Sequence, residues 1–227
     1  MTSSERVLAV AAHADDEIIG AGGTLAMHAA AGHALCILIL SSTATSRPGA
    51  DHTRVGRHRA ECARKVADLY GAELHLGTLP DNRFDTVERL SIVQQIEEVV
   101  GQWRPTRVYS HSTADLSMDH QITAHCTATA TRPLPGASVR TLLAWEIRSA
   151  TEWAATPFAP TWFQPLSPAA QHLKEQALHI YDSEMRPWPH PRSHQGIHVH
   201  AQARGTQIGH EAAEAFTLVR HVQPQEE

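Results

Sequence analysis

The residues with the clearest chemical potential lie close to the start of the chain. His13-Ala14-Asp15-Asp16-Glu17 follows an apolar run, Val7 to Ala12, and places four ionisable side chains within five positions. Charge at the end of a buried strand is costly unless it is paired or binds something. His13 and Asp16 are spaced to converge on one point from a tight turn or a first helical turn. An imidazole nitrogen and a carboxylate oxygen suit zinc, whose catalytic sites use three protein ligands and keep a position for water. Asp15 and Asp16 are adjacent, so both do not aim at one atom: one can bind metal while the other takes a proton from the bound water. The competing reading makes Asp15, Asp16 and Glu17 helix N-terminal carboxylates favoured by the macrodipole.

A third ligand has to come from elsewhere. His111, Asp115, Asp119 and His120 all follow a second strand candidate, Arg107 to Ser110. Asp119-His120 opens the next helix, so His120 can swing toward the first cluster while Asp119 bonds nearby groups or orients an imidazole. His125, five residues on, has a poor same-face spacing. Gly20-Ala21-Gly22-Gly23 suggests a dinucleotide loop, but Leu25 stands where the third glycine of G-x-G-x-x-G belongs, and the acidic cluster before it would repel a pyrophosphate. A Rossmann dehydrogenase is therefore disfavoured.

These residues need a scaffold that brings distant strand ends together. Val7 to Ala12, Ala34 to Leu40, Glu73 to Leu76 and Arg107 to Ser110 read as strands. They alternate with helices over Glu17 to Ala31, Arg54 to Tyr70, Val87 to Trp103 and Asp119 to Thr131. The third helix is amphipathic, with Leu90, Val93, Ile96, Val99 and Val100 on one face, and Gly71 follows the second as a C′ residue. That rhythm is the pattern of a mostly parallel sheet flanked by helices. In such sheets the ligand crevice lies beyond the carboxyl ends of the strands. Beyond Arg132 come a strand around Val139 to Ile147, a Pro- and Trp-rich stretch to Pro168 and a helix near Ala169 to Ser183. A loop over Arg186 to Ser193 follows, kept irregular by prolines 187, 189 and 191. His198 and His200 alternate like an exposed strand or loop, and Gln223 to Glu227 reads as a frayed tail.

Composition narrows the function. The 227 residues are 42% hydrophobic and 19% charged, enough for a sizeable core. The sequence reads as one domain, 1–227, with an α/β core carrying the metal site over 1–132 and a C-terminal part, 133–227, completing the sheet and the substrate loops. Nineteen Lys plus Arg against 24 Asp plus Glu give a net charge of −5, which argues against a nucleic-acid partner. No apolar stretch suits a membrane, and the polar opening lacks a signal peptide's n- and h-regions. Cys36, Cys62 and Cys126 form no CxxC pair, so a cytoplasmic home is the expectation. The 17 histidines are a surplus whose function composition alone does not place.

Ala12-His13-Ala14-Asp15-Asp16-Glu17, Gly22-Gly23-Thr24, Leu79-Pro80-Asp81, Asp119-His120 and Ala213-Glu214-Ala215-Phe216 together resemble the PIG-L/LmbE-like N-deacetylase family. The resemblance implies a Rossmann-like three-layer α/β fold. It also implies a zinc-dependent hydrolase of N-acetyl groups, commonly on N-acetylglucosamine-type sugars or glycoconjugates, with another divalent transition metal as an alternative to zinc. By position, His13, Asp16 and His120 match the metal ligands, and Asp15 the general base. Two departures stand out. The family's usual Pro before the Asp pair is Ala14, and Ser117 occupies the place where many members carry a second His, assigned to the oxyanion or the leaving amine. His190 and His194 are the favoured replacements, with His111 a third candidate.

Substrate contacts are expected from Asp81, as an acceptor for sugar hydroxyls, and from Arg57, Arg186 and Arg192, as partners for a phosphate or carboxylate. Trp188 is a candidate to stack on a sugar face, against the plainer reading of a half-buried loop residue. The residues leave room for two other readings: an amidase acting on a non-sugar metabolite, and a metal- or sugar-binding relative without catalysis. A homo-oligomer is left open.

Overall fold

Alternate residues of strand β1 (Arg6–His13) enter two different cores. Val7, Ala9 and Ala11 join a cluster with residues of helices α1 (Asp16–Ala30), α2 (His52–Tyr70) and α5 (Pro168–Ile180). Leu8, Val10 and Ala12 join a second with residues of α3 (Arg89–Trp103) and α4 (Met118–Ala130). Strand β2 (Ala34–Ser41) divides in the same way, Ile37 and Ile39 to one side, Leu38 and Leu40 to the other. A strand buried on both faces needs this continuous apolar run, with side chains pointing alternately up and down. The result is the expected three-layer arrangement. It is seen in a computed structural model that describes residues 4–44, 49 and 51–223; of the expected frayed tail, 224–227 lie outside the described residues.

The sheet has seven strands in the order β3-β2-β1-β4-β5-β7-β6. β3 (Glu73–Leu76), β2, β1, β4 (Arg107–His111) and β5 (Thr141–Trp145) are parallel. β7 (Ala213–His221) runs antiparallel to β5, and β6 (Trp162–Pro165) antiparallel to β7. Helix α6 (His194–Thr206) precedes β7. The strand order reverses around β1 and β4, because β1 has β2 on one side and β4 on the other. The carboxyl ends of β1 and β4 therefore flank the crevice where an open α/β sheet binds its ligand.

Several local expectations are corrected. The buried face of α3 is Ile92, Val93, Ile96, Val99 and Trp103, while Leu90 is 64% exposed. His198 and His200 lie on α6, not on a strand or loop. His200 is not simply solvated either: its Nε2 sits 2.8 Å from Glu146 Oε1. The Pro- and Trp-rich stretch contains β6. Gly71 does take the left-handed conformation (φ 63°) that ends α2. Gly20 serves close approach instead, since a Cβ there would lie 2.5 Å from the Trp145 ring.

The C-terminal third is tied to the first helix by buried charge. Glu214 of β7 accepts the backbone N–H groups of Gly23 and Thr24 at 2.9 and 2.7 Å. It also pairs with Lys174 Nζ at 2.6 Å, and Lys174 donates to the Ile19 carbonyl. A second anchor joins α6 to the end of β5: Glu146 accepts from Arg204 Nε and Nη2 at 2.7 and 2.8 Å and from His200. Although burial works against the charged form, His200 and Arg204 bring the Glu146 carboxyl down to about 2 from an ordinary 4.5. A carboxyl depressed on folding stabilises above its unfolded value, and that contribution is lost as pH falls from about 4.5 toward 2. Glu146→Gln is therefore expected to cost up to about 3 kcal/mol at neutral pH. The difference from wild type should shrink below pH ~4, as read from denaturant melts across pH; a pH-independent difference would contradict the assignment.

Candidate active site

Two strand ends and one helix start converge on Asp16. His13 is the last residue of β1, and Asp16 the first of α1. Beyond β4, a turn built on Asp115 leads into α4, whose first turn holds Asp119 and His120. Asp16 Oδ2 lies 3.3 Å from His13 Nδ1 and 3.3 Å from His120 Nε2, and it accepts the His13 backbone N–H at 3.0 Å. Each imidazole presents its other nitrogen to a second carboxylate. His13 Nε2 is 2.9 Å from Asp119 Oδ2, and His120 Nδ1 is 3.1 Å from Asp115 Oδ1. A carboxylate only accepts, so the His13 Nε2–H donates to Asp119, and Nδ1 is the nitrogen left to face Asp16 or a cation beside it. This carboxylate–histidine orientation is the one that metal ligands adopt.

The spacing fits a metal as well as the donor types do. Donors at about 2.0–2.1 Å from a tetrahedral zinc stand about 3.3–3.4 Å apart, which is the separation of Asp16 from each imidazole. Donor atoms of His13, Asp16 and His120 all lie within 4.8 Å of one another. Charge points the same way. Burial opposes the cationic imidazoles, yet Asp119 and Asp16 raise His13 to about 9, and Asp16 and Asp115 raise His120 to about 10. Burial likewise opposes the Asp16 carboxylate, but the charge of His120 and the hydrogen bonds from His120 and His13 hold it well below the usual carboxylate range. The cluster demands positive charge, and two protons or one divalent cation satisfy that demand equally. The donor set is compatible with a divalent metal ion.

Asp15 projects beside this cluster from a left-handed backbone, φ 112°. A non-glycine residue there is strained, and such strain is held in place only when the surroundings fix it. Its N–H donates to Glu17 Oε2 at 3.1 Å, and Glu17 Oε1 accepts from the Tyr181 hydroxyl at 2.7 Å. Its own Oδ2 accepts from Arg192 Nη1 at 3.0 Å, while Arg192 Nε donates to Ser149 Oγ. Burial pushes the Asp15 carboxyl up to about 7, with Arg192 acting in the opposite direction. That value lies in the range where a general base works best at neutral pH.

His111 stacks on His120 with ring centroids 4.1 Å apart. Its Nε2 accepts the Ala12 backbone N–H at 2.9 Å, which leaves the proton on Nδ1. Burial holds its pKa well below the usual histidine value, so it is a neutral spacer and not a cationic acid. Ser117 caps α4, its Oγ accepting the His120 N–H at 3.4 Å. Serine is favoured at that position for its own reason. Among the described residues no hydrogen bond or ring contact joins either favoured replacement for the absent histidine directly to Asp15. His190 Nδ1 accepts the Arg192 N–H, and its ring packs on Trp153. His194 stacks on His179 at the junction of α5 and α6.

Of the expected substrate residues, Asp81 and Arg192 border the cluster. Asp81 Oδ1 lies 3.5 Å from His13 Nε2. Arg57 is exposed on α2, and Arg186 donates to the carbonyls of Glu184 and Met185 in its own loop. Trp188 is exposed. The arginine that α2 does send inward is Arg59, which sequence reasoning missed. It bonds Glu184 through Nε and Nη2 at 3.2 Å, and Asp81 and the Thr43 carbonyl through Nη1. The signal was periodicity: Arg59 shares the face of Cys62, Ala63, Val66 and Tyr70, whereas Arg57 lies roughly on the opposite side at 100° per residue. Asp115 was quoted in the second motif but given no role.

Comparison with known proteins agrees with this geometry. No curated protein sequence matches the chain. Among solved structures, GalB, the 4-carboxy-2-hydroxymuconate hydratase from Pseudomonas putida, is 21% identical with a TM-score of 0.79, covering 98% of this chain and 99% of its own. N,N'-diacetylchitobiose deacetylase from Pyrococcus horikoshii is 16% identical with a TM-score of 0.77, covering 98% and 88%. A deacetylase of the teicoplanin biosynthesis pathway, solved with teicoplanin, is 16% identical with a TM-score of 0.76, covering 96% and 99%. At these identities the likeness is one of fold. Residues 8–131 match the PIG-L family, described as GlcNAc-PI de-N-acetylase. With more than half its length matched, and with the motifs of that match gathered around Asp16, the chain belongs to the PIG-L family.

Proposed function

We propose that the protein is a metal-dependent N-deacetylase acting on an N-acetylated sugar or glycoconjugate. In this reading His13, Asp16 and His120 hold the ion, zinc being favoured by the two-imidazole, one-carboxylate set, and Asp15 is the general base. The supporting observation is the Asp16 carboxylate set 3.3 Å from two carboxylate-backed imidazoles, with a second, separately held carboxylate beside it. A bound divalent cation would act as a Lewis acid, easing deprotonation of water and polarising the acetamide carbonyl.

The protein's own groups do the remainder. Asp15 receives the proton of the attacking water and returns it to the leaving nitrogen, because the serine at position 117 is engaged as a helix cap. Arg192 holds Asp15 in place and offsets the cost of burying its charge. Asp115 and Asp119 fix the two imidazoles, and Arg59 fixes Asp81 as a candidate acceptor for sugar hydroxyls. Among the described residues no helix is long and apolar enough to cross a membrane.

The test is acetate release from N-acetylglucosamine, nucleotide-linked and lipid-linked N-acetyl sugars, acylated glycopeptides and non-sugar acetamides, with zinc, cobalt or ferrous ion supplied. Acetate and free amine from a sugar acetamide are expected. Release only from non-sugar amides would move the substrate class. Absence of acetate from every compound and ion would overturn the reading. The hydratase among the structural neighbours makes water addition to an unsaturated carboxylate the activity to assay in that event.

A further inference from the structure

The chain has a second constellation of metal-binding side chains, at the junction of α5 and α6. His179 lies in the last turn of α5, Asp182 two residues beyond its end, and His194 is the first residue of α6. The two imidazoles stack with centroids 4.4 Å apart and planes 24° from parallel. One donor atom from each of the three residues lies within 4.8 Å of the others. None of the three contacts His13, Asp16 or His120.

The observation that points to a ligand is the condition of His194. Both of its ring nitrogens are buried from water, and neither has a hydrogen-bond partner. Asp182 Oδ1 is 3.5 Å from Nε2, beyond a normal hydrogen bond. Buried polar side-chain atoms are nearly always satisfied, and the exceptions call for a reason. A histidine kept for packing would turn one nitrogen to solvent or to a neighbour. This one faces a second imidazole and a carboxylate instead. The last turn of α5 also contributes the negative end of that helix, which favours a cation.

We propose that His179, Asp182 and His194 form a second site for a divalent transition metal. Two imidazoles and one carboxylate suit zinc, cobalt, nickel or copper, and not the all-oxygen sites of magnesium or calcium. An ion there clamps the end of α5 to the start of α6. The chain between them contains Arg192, whose guanidinium holds Asp15, so the ion closes the base of the loop that presents that arginine. The site stands whether or not the activity proposed above is the right one.

Zinc stoichiometry measured by equilibrium dialysis with zinc alone, followed by elemental analysis, tests the assignment. His179→Ala and Asp182→Asn alter exposed residues, and circular dichroism checks that they fold as wild type does. Each is expected to bind one zinc fewer per chain than wild type, while His172→Ala, an exposed histidine elsewhere on α5, binds the full number. Equal stoichiometry in wild type, His179→Ala and Asp182→Asn would overturn the site, and so would an equal loss in His172→Ala. His120→Ala measured alongside reports the Asp16 cluster separately: an unchanged zinc count there with one zinc fewer in His179→Ala would overturn the first site and keep the second, so failure of the two proposals is distinguishable.

Discussion

Asp15→Asn is expected to lower turnover about 10²- to 10⁴-fold, the range that a positioned general base contributes, while its metal content stays at the wild-type level. The carboxamide has nearly the same shape as the carboxylate, and its oxygen can still accept from Arg192 Nη1. The left-handed backbone at this position is tolerated by asparagine as readily as by aspartate. What the substitution removes is a group that can take up a proton. Because Asp16, His13 and His120 are untouched, the ion should remain. Measuring kcat and metal content on the same preparation separates the two roles. Near-normal turnover with full metal would end the assignment of Asp15 as base. Loss of metal in parallel with activity would make it a ligand instead.

His120→Ala is expected to have the opposite signature, a loss of metal affinity that brings the loss of activity with it. The substitution deletes one of three donors, and it leaves Asp16 and Asp115 without the imidazole that lies between them. Asp115→Asn provides the graded comparison. It keeps all three donors but weakens the group that orients His120, a change that typically costs 10- to 100-fold in metal affinity. The deletion should exceed that range, and titration with a competing chelator would rank the two variants. An Asp115→Asn variant as weak as His120→Ala would mean that Asp115 itself binds the ion. That outcome has a structural basis, since Asp115, His111 and His120 form an overlapping donor group.

Most of the parallel half was legible because β1, β2 and β4 are largely buried on both faces and α2 ends on a left-handed glycine; β3, at the sheet edge, is only half-buried. The runs at Val7, Ala34 and Arg107 need no context to be read. The three missed or misread elements, α6, β6 and β7, share a different property. Helix α6 buries only Gly196, Ile197 and Gly205, so it carries no apolar stripe. Strand β6 is four half-buried residues at the sheet edge. Strand β7 is fully buried only over its first half.

The site divides along the same line. The proposed ligands follow buried strands and show themselves by type and position. Arg192 was noticed only as a possible anion partner, because nothing local says that position 192 folds back onto position 15. His190 and His194 sit in the same segment, and they contact Arg192, Trp153 and His179. Composition alone placed none of the histidines: His194 stacks on His179, and His200 pairs with Glu146.

The bond from Glu214 to the N–H groups of Gly23 and Thr24 also sets an order in time. A nascent chain halted after residue 131 already contains His13, Asp15, Asp16 and His120. It lacks Lys174 and Glu214, which brace the helix beginning at Asp16, and Arg192, which steadies Asp15. The ribosome therefore makes the clustered His and Asp residues before the residues that brace them. These supports are complete only once β7 has been made and slots in between β5 and β6.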